Sequence, residues 1–351
     1  MSRFFSAKYK NLIPYTPGEQ PKDMKYIKLN TNESPFPPSP EAQEYAKKAA
    51  ENLQLYPDPE CRALTESIAR TLGVKYENVL VTNGSDEILN FAFMAFCDKD
   101  NPCVFPDITY GFYTVFAEIN NIPYTEIPLK ENFTIDIEDY IGIEKNIFIA
   151  NPNAPTGIAL KRDEIEKIIA TNPDNIVVID EAYVDFGGES CVPLINKYDN
   201  LIVTQTFSKS RSMAGARLGF GVASEALIGD MNTVKYSTNP YNINRMTMAA
   251  GLGVMEDEEY TKANCRRIME NREYTVAELG KLGFTSLPSS TNFVFTKHSA
   301  VSGEEIYTKL REKGILVRHF TKEKIADYNR ITIGSIDEMK ALITNLKEIL
   351  L

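Results

Sequence analysis

The sequence predicts an α/β fold in which helices cover both faces of a mostly parallel sheet, followed by a smaller α+β domain. From about residue 79, short apolar runs alternate with amphipathic helical stretches. The runs are apolar at successive positions, as in strands that are buried on both faces of a parallel sheet. The length of 351 residues also exceeds one typical domain and suits two.

The predicted elements of the large domain follow a regular order. The first 40 residues are rich in Pro and polar residues and predict an extended arm. Amphipathic helices are predicted at 41–54 and 60–72. The predicted strands lie at 79–82, 103–105, 124–129, 146–150, 176–180, 201–206 and 217–223, and helices near 86–97, 110–120 and 161–170 separate several of them.

Beyond about residue 240 the pattern changes. A long helical stretch at 243–279 leads to short strands at 292–297, 315–318 and 330–333, and a final amphipathic helix follows. We therefore predict a large domain at 31–240. The small domain is predicted to combine residues 241–351 with the N-terminal arm at 1–30.

Composition and charge exclude several classes of function. The net charge of −10 argues against binding to nucleic acid or an anionic membrane. No window approaches about 18 apolar residues, and the first residues lack the apolar core of a signal peptide. Five scattered cysteines without a CxxC pair predict reduced thiols in the cytoplasm, with neither disulfides nor a metal site. The two histidines, His298 and His319, are too few for a histidine cluster.

The segment 204–221, TQTFSKSRSMAGARLGFG, contains the most informative lysine. Lys209 follows a buried strand, where desolvation lowers the pKa of an amine and makes it a nucleophile toward a carbonyl. Hydroxyls at Thr206 and Ser208 surround it, and Arg217 comes eight residues later. The alternative is an ordinary lysine in an exposed loop between a strand and a helix.

The same segment contains a glycine string that resembles a dinucleotide-binding fingerprint. Gly215, Gly219 and Gly221 form GxxxGxG, as in short-chain dehydrogenases. That fingerprint belongs after the first strand of the fold, whereas this string lies past the middle of the chain and no YxxxK accompanies it. A dehydrogenase is therefore disfavoured.

Asp180 ends the apolar run IVVID, and Tyr183 follows three residues later. An ionised carboxylate in such a place is costly unless it faces a cation. A protonated pyridine nitrogen is such a cation, and the pair would make the ring an electron sink. A carboxylate on magnesium, as in nucleotide hydrolases, is the alternative; it is disfavoured because the chain contains no GxxxxGK(S/T) string.

Two further segments suit a planar, phosphorylated ligand. In TNGSDE, Gly84 permits a tight turn before a helix that begins near Ser85 and Asp86, and a helix N-terminus offers free N–H groups to a phosphate. Tyr110 opens a helix after the next strand, where an aromatic ring can cover a flat cofactor. Taken separately, these features are equally typical of a capped helix and a packing residue.

Together, these segments resemble the fold-type I aminotransferases that use pyridoxal 5′-phosphate (PLP), and most closely their histidinol-phosphate aminotransferase branch. The resemblance covers nearly the whole chain, with the motifs in order: LNTNESP, YPDP, TNGSDE, FPDITYGFY, NPNAPTG, IDEAY, TFSKS, AGARLGF, NREY, TNFVF and NRITIGS. It implies an enzyme that transfers the amino group of L-histidinol phosphate to 2-oxoglutarate in histidine biosynthesis. The products would be imidazole-acetol phosphate and L-glutamate.

The resemblance also implies a role for each motif residue in binding the cofactor. Lys209 would form the Schiff base, Asp180 would pair with the pyridine nitrogen, and Tyr183 would bind the ring oxygen. Tyr110 would stack on the ring. The cofactor phosphate would be held by Gly84, Ser85, Asp86, Thr206, Ser208 and Arg217. Tyr56, in YPDP, would reach the cofactor phosphate of a neighbouring subunit, which implies a homodimer with shared active sites.

Four residues are assigned to the substrate by the same resemblance. Arg330 would bind a substrate carboxylate, Arg318 and Tyr15 would bind the substrate phosphate, and Asn32 belongs to the substrate site. An aromatic-amino-acid aminotransferase, an L-threonine-phosphate decarboxylase and a non-catalytic PLP-binding protein on the same framework remain alternatives.

One residue departs from the family pattern. The family usually has NPNNPTG, in which the asparagine before PTG bonds the ring oxygen of the cofactor, but this chain has Ala154 there. Either Asn153 takes over after a small shift, or Tyr183 acts alone. Asn153 is therefore predicted to be a ligand of the cofactor.

Overall fold

The computed structural model describes residues 2–10 and 12–351. Met1 and Asn11, which belong to the predicted arm, lie outside the described residues. The helices are α1 Pro40–Ala50, α2 Arg62–Leu72, α3 Ser85–Phe96, α4 Phe112–Ile119, α5 Arg162–Thr171, α6 Glu225–Thr238, α7 Arg245–Glu256, α8 Glu258–Lys281, α9 Gly303–Glu312 and α10 Ile336–Leu350. The strands are β1 Ile27–Lys28, β2 Val79–Thr82, β3 Cys103–Pro106, β4 Tyr124–Ile127, β5 Asn146–Ala150, β6 Val177–Asp180, β7 Leu201–Thr206, β8 Gly219–Ala223, β9 Phe284–Ser286, β10 Phe293–His298, β11 Ile315–Leu316, β12 Arg318–His319 and β13 Asn329–Thr332.

A seven-stranded sheet forms the centre of the large domain. Its strand order is β2-β8-β7-β6-β5-β3-β4, and β8 runs antiparallel to both of its neighbours while the other pairs are parallel. Strands β5, β6 and β7 are buried along their whole length, as their unbroken apolar sequences predict. The predicted fold class is confirmed.

Helices cover both faces of this sheet. Ile147 and Ile149 of β5 face the side covered by α2, α5 and α7, whereas Phe148 faces the side covered by α3, α4 and α6. This alternation follows from the two-residue period of a strand. The strands whose ends carry the predicted site residues are therefore packed between two layers of helices.

The small domain has an antiparallel sheet of order β12-β13-β10-β9, packed on α8, α9 and α10. The N-terminal arm joins it because β1 pairs with β11, with Ile27 opposite Ile315. The predicted helix at 243–279 is divided at Asp257, whose side chain accepts a hydrogen bond from the Tyr260 N–H and caps α8. Helix α7 packs in the core of the large sheet, which favours a domain boundary near Asp257 over the predicted 240.

All five cysteines are buried free thiols. Across residues 2–10 and 12–351, no helix has the length and apolar character needed to cross a bilayer. The cytoplasmic location stays a prediction.

Candidate active site

The carboxyl ends of β2, β5, β6 and β7 meet at one edge of the large sheet, where two connected cavities open. The inner cavity has a volume of about 490 Å³ and is lined by Asp180, Lys209 and Arg217, among others. The outer cavity, of about 830 Å³, extends to Arg318 and Arg330. The cavities share Gln20, Thr31, Glu33, Tyr110, Ala154, Tyr183 and Lys209. Ligands of open α/β sheets bind at this edge.

The N-terminus of α3 forms one end of the inner cavity. A side chain at Gly219 would place its Cβ 2.3 Å from the Ser85 backbone N, so only glycine lets β8 approach this turn. Gly84 has φ +82, and a Cβ there would lie 2.8 Å from Arg217 Nη2. Both glycines therefore bring the free N–H groups of α3 and the guanidinium of Arg217 together.

Hydroxyls and one ion pair complete this end of the cavity. Arg217 Nη2 lies 3.0 Å from Asp86 Oδ2, and Asp86 Oδ1 accepts a hydrogen bond of 2.6 Å from the Tyr110 hydroxyl. Thr206 Oγ1 donates to Ser208 Oγ at 3.0 Å. The structure thus brings together all the residues predicted to hold the cofactor phosphate within one subunit.

Asp180 lies on the floor of the inner cavity and is 4% exposed. Its Oδ1 accepts from the Ala182 N–H, and its Oδ2 accepts from the Tyr113 hydroxyl. Burial, with a smaller contribution from the charge of Asp86, raises the pKa of Asp180 to about 7. A cationic ligand on this floor would reverse that effect, because it would favour the ionised carboxylate.

Sequence reasoning did not identify Tyr113. It lies in the first turn of α4, three residues after Tyr110, and a second tyrosine at this short spacing is the available signal. Tyr110 itself precedes the helix, so the helix begins two residues later than predicted. Its ring packs edge-on against Tyr110 with centroids 5.8 Å apart.

Lys209 and Tyr183 lie between the two cavities. Lys209 Nζ donates to the Thr31 carbonyl at 3.2 Å and lies 5.8 Å from the centre of the Tyr183 ring. The Tyr183 hydroxyl accepts a hydrogen bond of 2.9 Å from Asn32 Nδ2. The amine therefore lies next to a phenol at the point where an inner ligand would meet an outer one.

Two arginines line the outer cavity. Arg330 is half-buried, with its guanidinium against the rings of Phe293 and Phe320, and it donates to the Asn30 carbonyl at 3.0 Å. Desolvation holds its pKa below the ordinary value of an arginine. Within the described part of the chain it has no ion-pair partner, and its Nε has no hydrogen-bond partner. Arg318 is more exposed and donates to the carbonyls of Thr16 and Pro17.

Tyr15, on the N-terminal arm, covers the outer cavity from the other side. Its ring lies 4.4 Å from that of Phe112, centroid to centroid, and it lines the cavity together with Arg318 and Arg330. The arm therefore contacts the large domain through Tyr15. It contacts the small domain through the two carbonyls that accept hydrogen bonds from Arg318.

The structure does not bring Asn153 into the cavity. Its Oδ1 accepts from Thr109, and its Nδ2 donates to Ile108 O and Thr156 Oγ1, so the amide is already used to hold the loop after β5. Ala154 lines both cavities in its place. A shift of Asn153 into the cavity would break these three hydrogen bonds, two of which are buried, so the structure argues against the predicted replacement.

Tyr56 also lies away from the cavities of its own subunit. It is 76% exposed and stacks on Tyr241 with ring centroids 4.6 Å apart. A role for Tyr56 at a phosphate therefore requires a second subunit.

The family model for "Aminotransferase class I and II" matches residues 24–346. The chain belongs to this family. Among curated members, the histidinol-phosphate aminotransferase of Brachyspira hyodysenteriae is 49% identical over 356 aligned residues, covering 100% of this chain and 99% of the relative. That of Clostridium botulinum is 45% identical over 351 residues, covering 100% and 99%.

Solved structures of aminotransferases share the fold. Histidinol-phosphate aminotransferase from Sinorhizobium meliloti, in complex with pyridoxal-5′-phosphate, superposes with a TM-score of 0.86 at 24% identity, covering 93% of this chain and 91% of that one. The enzyme from Clostridium acetobutylicum gives 0.85 at 24% identity, covering 92% and 99%. The predicted family and fold, and an aminotransferase activity that uses PLP, are confirmed.

The inner cavity has the donor set that PLP needs. The helix N-terminus at Ser85, the hydroxyls and Arg217 suit a phosphate. Asp180 is buried and forms no ion pair with the described residues, so it suits a protonated ring nitrogen. Lys209 lies between these ends and the outer cavity, where an aldehyde would meet a substrate amine.

Proposed function

We propose that this aminotransferase converts L-histidinol phosphate and 2-oxoglutarate to imidazole-acetol phosphate and L-glutamate. The observation that carries the proposal is Arg330, a half-buried arginine in the outer cavity. Its Nε is buried without a hydrogen-bond partner, and it lacks an ion-pair partner among the described residues. An anion stabilises a partly desolvated cation, and a substrate is the group that can bring one. The curated relatives at 45–49% identity carry the same activity in their names.

The residues around the inner cavity would hold and orient PLP. Bound PLP supplies an aldehyde that condenses with amines and a ring that withdraws electrons from the substrate α-carbon. Lys209 would hold the aldehyde end, Asp180 the ring nitrogen and Arg217 the phosphate. Tyr110, fixed by its hydrogen bond to Asp86, would cover the ring.

Lys209 is also the group placed to move the substrate proton. Lys209 lines both cavities, so its Nζ would lie where a substrate that reaches from the outer into the inner cavity presents its α-carbon. His319 lines only the outer cavity, next to Arg318. Lysine is therefore the proton carrier that the geometry favours.

Arg330 and Arg318 would serve both substrates. Histidinol phosphate brings a phosphate and no carboxylate, whereas 2-oxoglutarate brings carboxylates, and the planar guanidinium fork binds either anion through two parallel hydrogen bonds. The net charge of −10 does not oppose this, because the field at the site depends on these local cations.

The active unit is proposed to be a homodimer. Leu53, Leu55 and Tyr56 are exposed on the loop between α1 and α2, and Tyr241 continues the same patch. Clustered exposed apolar residues mark an interaction surface. A second copy on this patch would bring Tyr56 toward the phosphate end of its partner's cavity.

The proposal is tested by an amine-donor screen with 2-oxoglutarate. Purified protein with PLP is given histidinol phosphate, phenylalanine or threonine phosphate, and glutamate and carbon dioxide are measured. We expect glutamate formation at the highest kcat/KM with histidinol phosphate. A preference for phenylalanine would make it an aromatic aminotransferase, and carbon dioxide from threonine phosphate would make it a decarboxylase; either result would reject the proposal.

A further inference from the structure

Asn32 links the arm, the small domain and Tyr183 through four hydrogen bonds. It is 1% exposed and lines the outer cavity, where it was predicted to belong to the substrate site. Its backbone N–H donates to Thr332 Oγ1 at 2.9 Å, and its carbonyl accepts from Asn292 Nδ2 at 2.9 Å. Its side chain accepts from Thr332 Oγ1 at 3.0 Å and donates to the Tyr183 hydroxyl at 2.9 Å. The side-chain amide is therefore already engaged within the protein.

The pattern of donors fixes which way the Asn32 amide points. The Thr332 hydroxyl has one hydrogen, and because it accepts from the Asn32 backbone N–H it is free to donate that hydrogen to Asn32 Oδ1. With Oδ1 held by Thr332, Nδ2 must face Tyr183. An amide nitrogen only donates, so the Tyr183 oxygen accepts and its own hydrogen is left for another partner.

The surroundings of Tyr183 indicate where that hydrogen goes. Phe293 packs edge-on against its ring, with centroids 5.2 Å apart, and Ala154, which has no polar side-chain atom, lies beside it at the cavity wall. Tyr183 lines both cavities next to Lys209. An acceptor inside the cavity is therefore the partner open to the phenol.

We infer that Asn32 is a positioning residue that, oriented by Thr332, makes the Tyr183 hydroxyl a hydrogen-bond donor toward the ring oxygen of bound PLP. The inference rests on the proposed function, since it assumes the cofactor in the inner cavity. It reassigns Asn32 from the substrate to the tyrosine.

The test is the pH midpoint at which the visible absorbance of the PLP-loaded enzyme changes. Loss of a proton from the bound cofactor increases the negative charge on its ring oxygen, and a hydrogen bond from Tyr183 stabilises that form. Thr332→Val frees the Asn32 amide to turn its oxygen toward Tyr183, so the phenol donates there instead. We expect the midpoint to rise by about one pH unit.

Asn32→Asp gives a second, independent variant. It keeps the size of the side chain, suits the backbone φ of 57° at this position, and offers Tyr183 an acceptor in place of a donor. The midpoint should again rise. Asn329→Asp is the matched control, because Asn329 is equally buried on β13 but donates to the Gly303 carbonyl, away from Tyr183.

A double variant separates this role from a structural one. In a Tyr183→Phe background, Thr332→Val should leave the midpoint where Tyr183→Phe alone puts it, because no hydroxyl remains to redirect. An unchanged midpoint in both Thr332→Val and Asn32→Asp, a persisting shift in the Phe background, or an equal shift in Asn329→Asp would each overturn the inference. A wild-type protein with no cofactor absorbance would instead reject the proposed function.

Discussion

The hydroxyl of Tyr113 lies 3.3 Å from Asp180 Oδ2, and both side chains are buried beneath the inner cavity. Helix α4 supplies the tyrosine and strand β6 the aspartate, so the packing of helix on sheet sets the orientation of the carboxylate. The same tyrosine ring contacts Tyr110. Tyr113 therefore contacts both Asp180 and Tyr110, the two residues proposed to lie on either side of the cofactor.

Asp180→Asn should leave PLP bound but slow turnover about a thousandfold or more, because an amide no longer keeps the ring nitrogen protonated. Turnover and PLP affinity are measured together in the purified variant. Tyr113→Phe, which keeps the carboxylate and loses only its hydrogen bond, should cost about tenfold. Near-normal turnover in Asp180→Asn would remove Asp180 from its assigned role.

Asp180 and Glu181 should each contribute less to the stability of the PLP-free protein as pH rises from about 4 to 7. Burial raises the pKa values of Asp180 and of its neighbour Glu181 to about 7. In that window the folded state keeps protons that the unfolded chain releases, so unfolding becomes easier as pH increases. The loss is roughly a few kcal/mol at most for each group.

Urea unfolding of PLP-free wild type, Asp180→Asn and Glu181→Gln at about pH 5 and pH 8 measures this effect. Carboxylates with lowered pKa values, such as Asp98 and Asp136, act in the opposite direction, so the comparison is between each variant and wild type. The variants should lose less stability than wild type between the two pH values. If the free energy of unfolding changed equally with pH in wild type and in both variants, the raised pKa values of Asp180 and Glu181 would be contradicted.

The strands and the residues at their ends were predictable because both follow local rules. Unbroken apolar runs predict buried parallel strands, and polar residues directly after them, such as Asp180 and Lys209, must lie at one edge of the sheet. The break of the predicted helix at Asp257 was missed because the apolar pattern continues through it, and only the cap marks it.

Residues whose role depends on tertiary contacts were predicted less well. Asn153 looked free to replace the missing asparagine, but loops around Ile108 and Thr156 use its amide. Asn32 was predicted to belong to the substrate site and lines the outer cavity, but its hydrogen bond from Thr332, 300 residues later, was not foreseen. Hydrogen-bond partners so distant in sequence leave no periodic signal for a local pattern to show.

Lys209→Ala should abolish the visible absorbance of covalently bound PLP, because Lys209 is the one amine among the described residues that lines both cavities. Borohydride reduction followed by mass spectrometry locates the modified residue in wild type. Lys28→Ala is the matched control: Lys28 pairs with Glu33 at 2.7 Å beside the cavities and should leave the absorbance unchanged. A reducible adduct that survives in Lys209→Ala would move the assignment elsewhere.

Arg318→Ala should weaken histidinol phosphate far more than phenylalanine. A charge-assisted hydrogen bond to a phosphate is worth roughly 1.5–3 kcal/mol, so kcat/KM for the phosphorylated substrate should fall about tenfold to a hundredfold. The value for phenylalanine should change little. Steady-state kinetics with both amines measure this difference. Equal losses of kcat/KM for the two amines would exclude Arg318 from the phosphate site.

Tyr56 is predicted to act at the cofactor phosphate of the partner subunit, which mixed dimers can test. Tyr56→Ala and Lys209→Ala should each lower activity at limiting PLP. Dissociating and reassociating the two variants together produces dimers in which one site carries both defects and the other carries neither. About a quarter of the wild-type activity should then return, since about half of the dimers are mixed and each has one intact site.

The recovery depends on the two residues coming from different subunits. If Tyr56 served the cavity of its own chain, every site in a mixed dimer would keep one defect and no activity would return. Separately mixed samples of each variant with itself control for the dissociation step. Tyr56 is 76% exposed and lines neither cavity of its own subunit, which is why we expect recovery.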